Sequence, residues 1–472
     1  MNRDGGSVDG AYDLAVIGAG SAGFSAAITA ADQGAHVALI GHGTIGGTCV
    51  NVGCVPSKTM IRATETLHLA NAGRFAGIEA RGQLADWSAI VAQKDALVAT
   101  LRQSKYIDQL ENYDGIDYLE GPAAFSAHGL RFGGADLAAD KIIIASGSQA
   151  SVPDIPGLRD VPYLTSTTAF ELAELPRSML LIGGGYIGCE VAQMLARAGV
   201  AVTIACRSRL LPEGEPEISD GLRGYLRDEG LEVLDGLYYE SMEQDGSGVA
   251  LHVLAGGERR TIRAERVLLC AGRQPNTEGL GLDAAGIETS ANGGVAVDAR
   301  MRTSQPGVYA AGDVTGRDQF VYMAAHGAKI AALNALNGDS LEYDNNAMPA
   351  VVFTDPQVAT TGLTEAAARA AGHDVVTSLL PLEFVPRALA ARDTRGLIKL
   401  VADGATKRLL GAHILAPEGA DSIQTAALAI RQGMTYVELG EMIFPYLTTV
   451  EGLKLAAQTF EKDISKLSCC AG

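Results

Sequence analysis

Cys49 and Cys54, separated by four residues in GTCVNVGCVPSK, and the adjacent Cys469 and Cys470 of LSCCAG are the residues whose types and spacing could do chemistry. A thiol pair can be a structural pair of buried sulfurs, a metal clip or a redox couple. A structural zinc site would need two further ligands at matching spacing, and none stands near Cys49 and Cys54. The stretch VNVGCVPSKTMIRATETLHLA reads as one helix with both sulfurs near its start, where the dipole stabilises a thiolate and lowers its pKa. Adjacent thiolates such as Cys469 and Cys470 can chelate one soft cation, Hg(II) better than any hard ion; the plain alternative is two spare thiols on a polar tail.

Two glycine-rich units must position this sulfur chemistry. In YDLAVIGAGSAGFSAAITAADQG a short apolar strand runs into Gly18, Gly20 and Gly23 and then an alanine-rich helix. The first glycine makes the turn, the second lets a pyrophosphate approach the backbone, and the third lets helix and strand pack. RSMLLIGGGYIGCEVAQMLARAG repeats the arrangement with Gly183, Gly185 and Gly188, so two dinucleotides are expected. After the second strand of this second unit come Arg207 and Arg209, with no carboxylate. Two cations there favour the extra phosphate of NADPH; solvation of a strand end is the alternative. In the first unit the second strand, HVALIG, ends in Gly41 where an acidic ribose ligand is expected, so that contact must be made otherwise or is weaker. A later glycine-flanked turn carries Asp313 before another helix, which implies that the first dinucleotide domain is interrupted by the second.

Composition narrows the function classes. A chain of 472 residues is too long for one core and implies two to four domains. No run approaches the ~18 apolar residues of a spanning helix, and the opening MNRDGGSVDGAYD lacks the basic and apolar segments of a secretory signal. A soluble cytoplasmic protein is expected, without a membrane partner. Seven cysteines in this length do not make a secreted disulfide framework. The net charge of -18 argues against nucleic acid, whose phosphates need clustered cations.

GTCVNVGCVPSK, the two fingerprints, IIIASGS at 142–148, GRQPN at 272–276 and AAGDV at 310–314 together resemble the flavoprotein disulfide reductases, over nearly the whole chain. The resemblance implies an α/β fold with two Rossmann-like dinucleotide-binding domains, for FAD and NADPH, and a C-terminal α+β dimerisation domain. The expected division is a flexible N-terminus over 1–10, the FAD-binding domain over 11–150 and 276–345, the NADPH-binding domain over 151–275, and the dimerisation domain over 346–472. It further implies that Cys49 and Cys54 are the redox pair, Cys54 against the flavin and Cys49 exchanging with substrate. Lys58, paired with Glu190, would sit near the reactive flavin nitrogen. Thr48, Asp313 and Ala124 of GPAAF match positions that contact FAD. Tyr186 would cover the nicotinamide pocket; core packing is its alternative.

Family members that reduce a disulfide protonate the departing thiolate with a His held by a Glu, from the partner subunit of a homodimer. FPYLTTVEG keeps Glu451 but places Tyr446 five residues before it. A phenol of pKa ~10 serves poorly where an imidazole of ~6.5 is needed. Tyr446 with the terminal LSCCAG matches instead the mercury-reducing branch of the family. That likeness implies reduction of thiol-bound Hg(II) to elemental mercury. Cys469 and Cys470 of one subunit would capture the ion and hand it to Cys49 and Cys54 of the other. Tyr446 and Tyr106 of QSKYIDQL would line the metal's path, with packing as the alternative for Tyr106. Many members of that branch begin with a small Cys-x-x-Cys metal trap, whereas this sequence starts at its first strand; if the chain is complete, the terminal doublet is expected to be the only dedicated collector. Cys189, Cys206 and Cys270 read as packing residues. The rival readings are a thioredoxin-reductase-like relay, which predicts a His at 446, and a metal-sequestering protein without turnover.

Overall fold

A computed structural model describes residues 11–464, so Cys469 and Cys470 lie outside the described residues. Contacts divide the chain into two compact units. One takes in the chain up to Ser57, Val91–Ser151 and Gly272–Asp344; the other takes in Lys58–Ile90, Val152–Ala271 and the chain from Asn345.

The first unit is built on a five-stranded parallel sheet, because strands such as YDLAVI and VALIG are apolar on both faces and must be covered on both. Its order is Val308–Ala310, Ala139–Ile144, Tyr12–Ile17, Val37–Gly41, Ile116–Glu120. The helices Ser21–Ala31 and Val321–Asn337 cover one face through buried alanines, among them Ala26, Ala27, Ala328 and Ala331, whose small side chains let the backbones approach. On the other face Ile144 packs in one core with Phe125 and Leu130, which come from the antiparallel strands Ala123–Ser126 and Gly129–Phe132, and with Leu280.

The second unit repeats the plan. Its parallel sheet runs Glu232–Leu234, Ala201–Ala205, Ser178–Ile182, Arg266–Leu269, Tyr163–Thr165. The helix Tyr186–Arg197 covers one side, and a three-stranded antiparallel layer, Leu237–Asp245, Gly248–Ala255 and Glu258–Ala264, covers the other. From Ala350 onward an antiparallel sheet follows, ordered Ala350–Val352, Gln357–Gly362, Leu409–Ala416, Leu397–Asp403, Val375–Pro381. The helices Gly419–Arg431 and Glu451–Gln458 pack into its core. The expected fold class, two Rossmann-like sheets followed by an α+β segment, is what the chain forms. Among the described residues no helix is long and apolar enough to cross a membrane.

Candidate active site

The strand order reverses beside Tyr12–Ile17 in the first parallel sheet and beside Ser178–Ile182 in the second, and ligands of open α/β sheets bind at the carboxyl ends of the strands at such a switch point. Gly18 follows the first strand with φ +123°, and any Cβ there would collide with Ala145 O on the neighbouring strand's exit. Gly23 could carry no side chain either, because its Cβ would strike Gly18 O. Gly20 caps the Ser21–Ala31 helix in extended conformation without a side-chain cap bond, so the first-turn N–H groups stay available for an anion. Gly183, Gly185 and Gly188 reproduce this in the second unit. Gly183 has φ +115° against Cys270 O, Gly188 abuts Gly183 O, and Gly185, an extended cap, faces open space. Both cradles fit a pyrophosphate.

The cysteine segment leans on the first cradle: a Cβ on Gly20 would lie 3.5 Å from Gly47 Cα. The expectation of one helix carrying both sulfurs is corrected here. Cys49 belongs to a short helix, Gly47–Asn51, whereas Cys54 opens the next, Cys54–Asn71. Val52, at φ -139° and ψ 8°, leaves helical geometry, and Gly53 returns so close that a Cβ would sit 2.9 Å from Thr48 O. The break puts Cys54 at the positive end of an 18-residue helix, where negative charge is favoured. Asn51 holds the loop in shape: its amide donates to Ile45 O and Gly47 O at 2.9 Å each and accepts from Arg102 at 3.1 Å. Both cysteines are half-buried.

Tyr106 joins this site. It lies in a π-helical turn, Gln103–Ile107, an irregularity common at functional positions. Its hydroxyl is 3.3 Å from Ser21 Oγ and its ring meets Phe24 edge-on at 4.9 Å. Burial pushes its phenol up, the Ser21 hydrogen bond partly offsets this, and negative charge on Cys49 and Cys54 pushes it further. The same unit gathers four of the sequence motifs. Ser148 donates to Asp313 at 2.6 Å, Arg273 donates to Ser148 Oγ at 2.7 Å and lies 3.6 Å from Asp313, and Arg273 reaches Thr48 Oγ1 at 3.5 Å. Arg273 and Asn51 were not singled out from the sequence; only their motifs were. Ala124 sits half-buried in the strand Ala123–Ser126.

In the second unit Lys58 and Glu190 come together, with Nζ 2.7 Å from Oε2. Glu190 is only 5 % exposed and its other oxygen accepts from Phe353 N at 2.9 Å, while the Lys58 ammonium stands over the Phe353 ring at 4.8 Å. One carboxylate oxygen thus orients the lysine while the other is fixed by the Phe353 backbone. Tyr186 opens the Tyr186–Arg197 helix, its phenol raised chiefly by burial. Arg207 is exposed at the end of Ala201–Ala205; Arg209 instead donates to Pro212 O and Gly214 O, which ties it into the following turn. Tyr446 is 56 % exposed in a stretch where Ile443 is 97 % exposed, and buried Glu451 accepts from Leu447 N at 3.3 Å. Burial pushes the Cys206 and Cys270 thiols up to about 12 and that of Cys189 higher still, so these three are neutral packing groups at neutral pH.

Residues 12–331 match the family model described as pyridine nucleotide-disulphide oxidoreductase, and residues 348–457 match its dimerisation domain. A mercuric reductase of Staphylococcus aureus is 46% identical, covering 98% of this chain and 85% of that protein; one of Streptomyces lividans is 46% identical, covering 98% of each. Among solved structures, the Cu(II) complex of the HOCl-induced flavoprotein disulfide reductase RclA from Escherichia coli has a TM-score of 0.85 at 31% identity, covering 96% of this chain and 100% of that one. Flavin and pyridine nucleotide are the cofactors this relationship carries, and the two glycine cradles fit them. With paired thiols beside one dinucleotide cradle, a second cradle of the same build and a match spanning both segments, this chain is an oxidoreductase that belongs to the pyridine nucleotide-disulphide oxidoreductase family.

Proposed function

We propose that this protein is an NADPH-dependent mercury(II) reductase: a homodimer holding FAD in the first cradle and NADPH in the second, and acting in the reducing cytoplasm. The observation that carries the reading is at position 446. Glu451 is kept and buried, but the residue before the turn it holds is an exposed phenol. A phenol of pKa ~10 is a poor proton donor to a leaving thiolate at neutral pH beside an imidazole of ~6.5. Reduction of a metal ion held by thiolates needs no such proton donor.

Bound NADPH and FAD would supply two electrons as hydride equivalents. The chain's residues do the rest. Cys49 and Cys54, once reduced from their disulfide, present two sulfurs to one soft ion, and Cys54 at a helix N-terminus holds negative charge readily. Thiolate attack exchanges mercury's small-thiol ligands for protein sulfurs, so the metal passes between thiol pairs without becoming a free ion. Cys469 and Cys470 of one subunit collect it and the partner's inner pair receives it. The balance is NADPH, one proton and Hg(SR)2 giving NADP+, elemental mercury and two RSH. Lys58, oriented by Glu190, would supply a cation near the reactive nitrogen of a bound flavin, and Tyr106 and Tyr446 would line the route of the ion. Thr48, Ala124 and Asp313 would hold FAD, Asp313 being itself held by Ser148 and Arg273.

The test is NADPH oxidation in excess thiol with Hg(II), glutathione disulfide, lipoamide and thioredoxin as acceptors. Stimulation by Hg(II) alone is expected; stimulation by a disulfide alone overturns the reading. Arg207 is the exposed cation at the second cradle. Arg207→Ala is therefore expected to raise KM for NADPH by roughly tenfold, an exposed charge-assisted contact of ~1.5 kcal/mol, and to leave KM for NADH unchanged. Equal effects on both nucleotides would remove Arg207 from phosphate recognition.

A further inference from the structure

Gly41 ends the second strand of the first cradle, where dinucleotide folds place the carboxylate that binds the ribose. It has no positive φ, so backbone conformation does not demand glycine there. Space does. A Cβ on Gly41 would lie 2.7 Å from Tyr118 Cε2 and 2.9 Å from Ala19 Cβ, and Tyr118 Oη is closer than either. Tyr118 stands on the adjacent strand, Ile116–Glu120, paired in register with Leu39, so its long side chain reaches two residues along the sheet to the strand's carboxyl end. Ala19 lies between Gly18 and Gly20 in the pyrophosphate turn. The phenol tip therefore occupies the corner between second-strand end and fingerprint turn, where the ribose of a dinucleotide rests.

We infer that Tyr118 replaces the missing carboxylate at Gly41 and hydrogen-bonds the adenosine ribose of the flavin dinucleotide; this rests on reading the first cradle as the FAD site. A protonated phenol both donates and accepts, as a ribose hydroxyl requires. Burial, then the charge of Glu120, pushes the Tyr118 phenol up and keeps it protonated at neutral pH. The exchange also removes a negative charge from beside a pyrophosphate. Glu120, exposed and opposite Gly41 in register, is the competing polar group.

The experiment titrates flavin-stripped protein with FAD and follows quenching of flavin fluorescence, which reads binding and not turnover. Tyr118→Phe keeps the ring and is expected to bind FAD roughly fivefold more weakly, the loss of one hydrogen bond. An FAD analogue whose adenosine ribose lacks both hydroxyls should bind the wild type weakly, with no further loss in Tyr118→Phe. Gly41→Glu alone should expel flavin, because the new side chain and the phenol claim one space, whereas Gly41→Glu in a Tyr118→Ala background should bind better than Tyr118→Ala alone. Wild-type affinity in Tyr118→Phe, or a loss on Glu120→Gln in its place, overturns the inference. Wild-type protein that takes up no FAD overturns the assignment of the cradle as well, so the two failures are told apart.

Discussion

The Cys54→Ser variant is expected to lose Hg(II)-dependent NADPH oxidation by about a thousandfold, since removing one member of a group that acts as a unit costs nearly the whole of its contribution. Serine is nearly isosteric, but its hydroxyl neither ionises near neutral pH nor binds a soft cation. The cradle glycines and the Lys58–Glu190 pair are untouched by the change, so bleaching of the flavin absorbance by NADPH should persist. Stopped-flow absorbance separates the two half-reactions. Replacing both Cys469 and Cys470 by Ala should act elsewhere, slowing turnover of thiol-bound mercury while flavin reduction keeps its rate. Full mercury turnover in Cys54→Ser would refute the role of the inner pair; unchanged turnover in the terminal double variant would refute delivery by the doublet.

The second large effect lies far from any sulfur. Lys399 is buried, and its ammonium stands 2.9 Å from a carboxylate oxygen of each of Glu215, Glu217 and Glu365. Glu215 is itself buried, and its other oxygen accepts from Glu365 N at 2.6 Å. His413, 3.7 Å from Glu215, is held neutral chiefly by burial and adds no compensating charge. Lys399→Met would remove the cation that the three carboxylates share, leaving Arg369 on Glu365, and breaking a buried pair of this kind costs about 3–5 kcal/mol.

The pH dependence of that loss has a definite sign. In the wild type, hydrogen bonds from Lys399 and Arg369 hold the Glu365 carboxyl below its ordinary value near 4.5. Its contribution is present above that value and is lost as pH falls through the lower, folded one. In Lys399→Met the carboxylates repel, so the folded state takes up protons more readily than the unfolded and gains stability on acidification. The gap between the two proteins should therefore narrow from pH 7 to pH 5, as measured by unfolding midpoints. A gap that is constant or widening with acid would show that the lysine does not neutralise the cluster.

What could be read from the sequence was local. Both strand, glycine turn, helix units were legible because the demands on Gly18, Gly23, Gly183 and Gly188 come from backbone within a few residues and from one neighbouring strand. The pairing of Lys58 with Glu190 was reached only through family likeness; the sequence itself holds no hint of a contact across 132 positions. Tertiary structure alone decided the rest. The helix break between Cys49 and Cys54 depends on Gly53 folding back against Thr48, a clash that helical periodicity does not reveal. Ser148, Arg273 and Asp313 lie up to 165 positions apart; they meet because the strands Ser148–Ala150 and Arg273–Pro275 pair with each other, while Asp313 follows Val308–Ala310, the neighbour of Ala139–Ile144 in the parallel sheet. Gly41 looked like a missing ligand until the adjacent strand placed a tyrosine in its space. Short-range sterics are written residue by residue, whereas the filling of a volume by a side chain from elsewhere exists only once the chain has closed on itself.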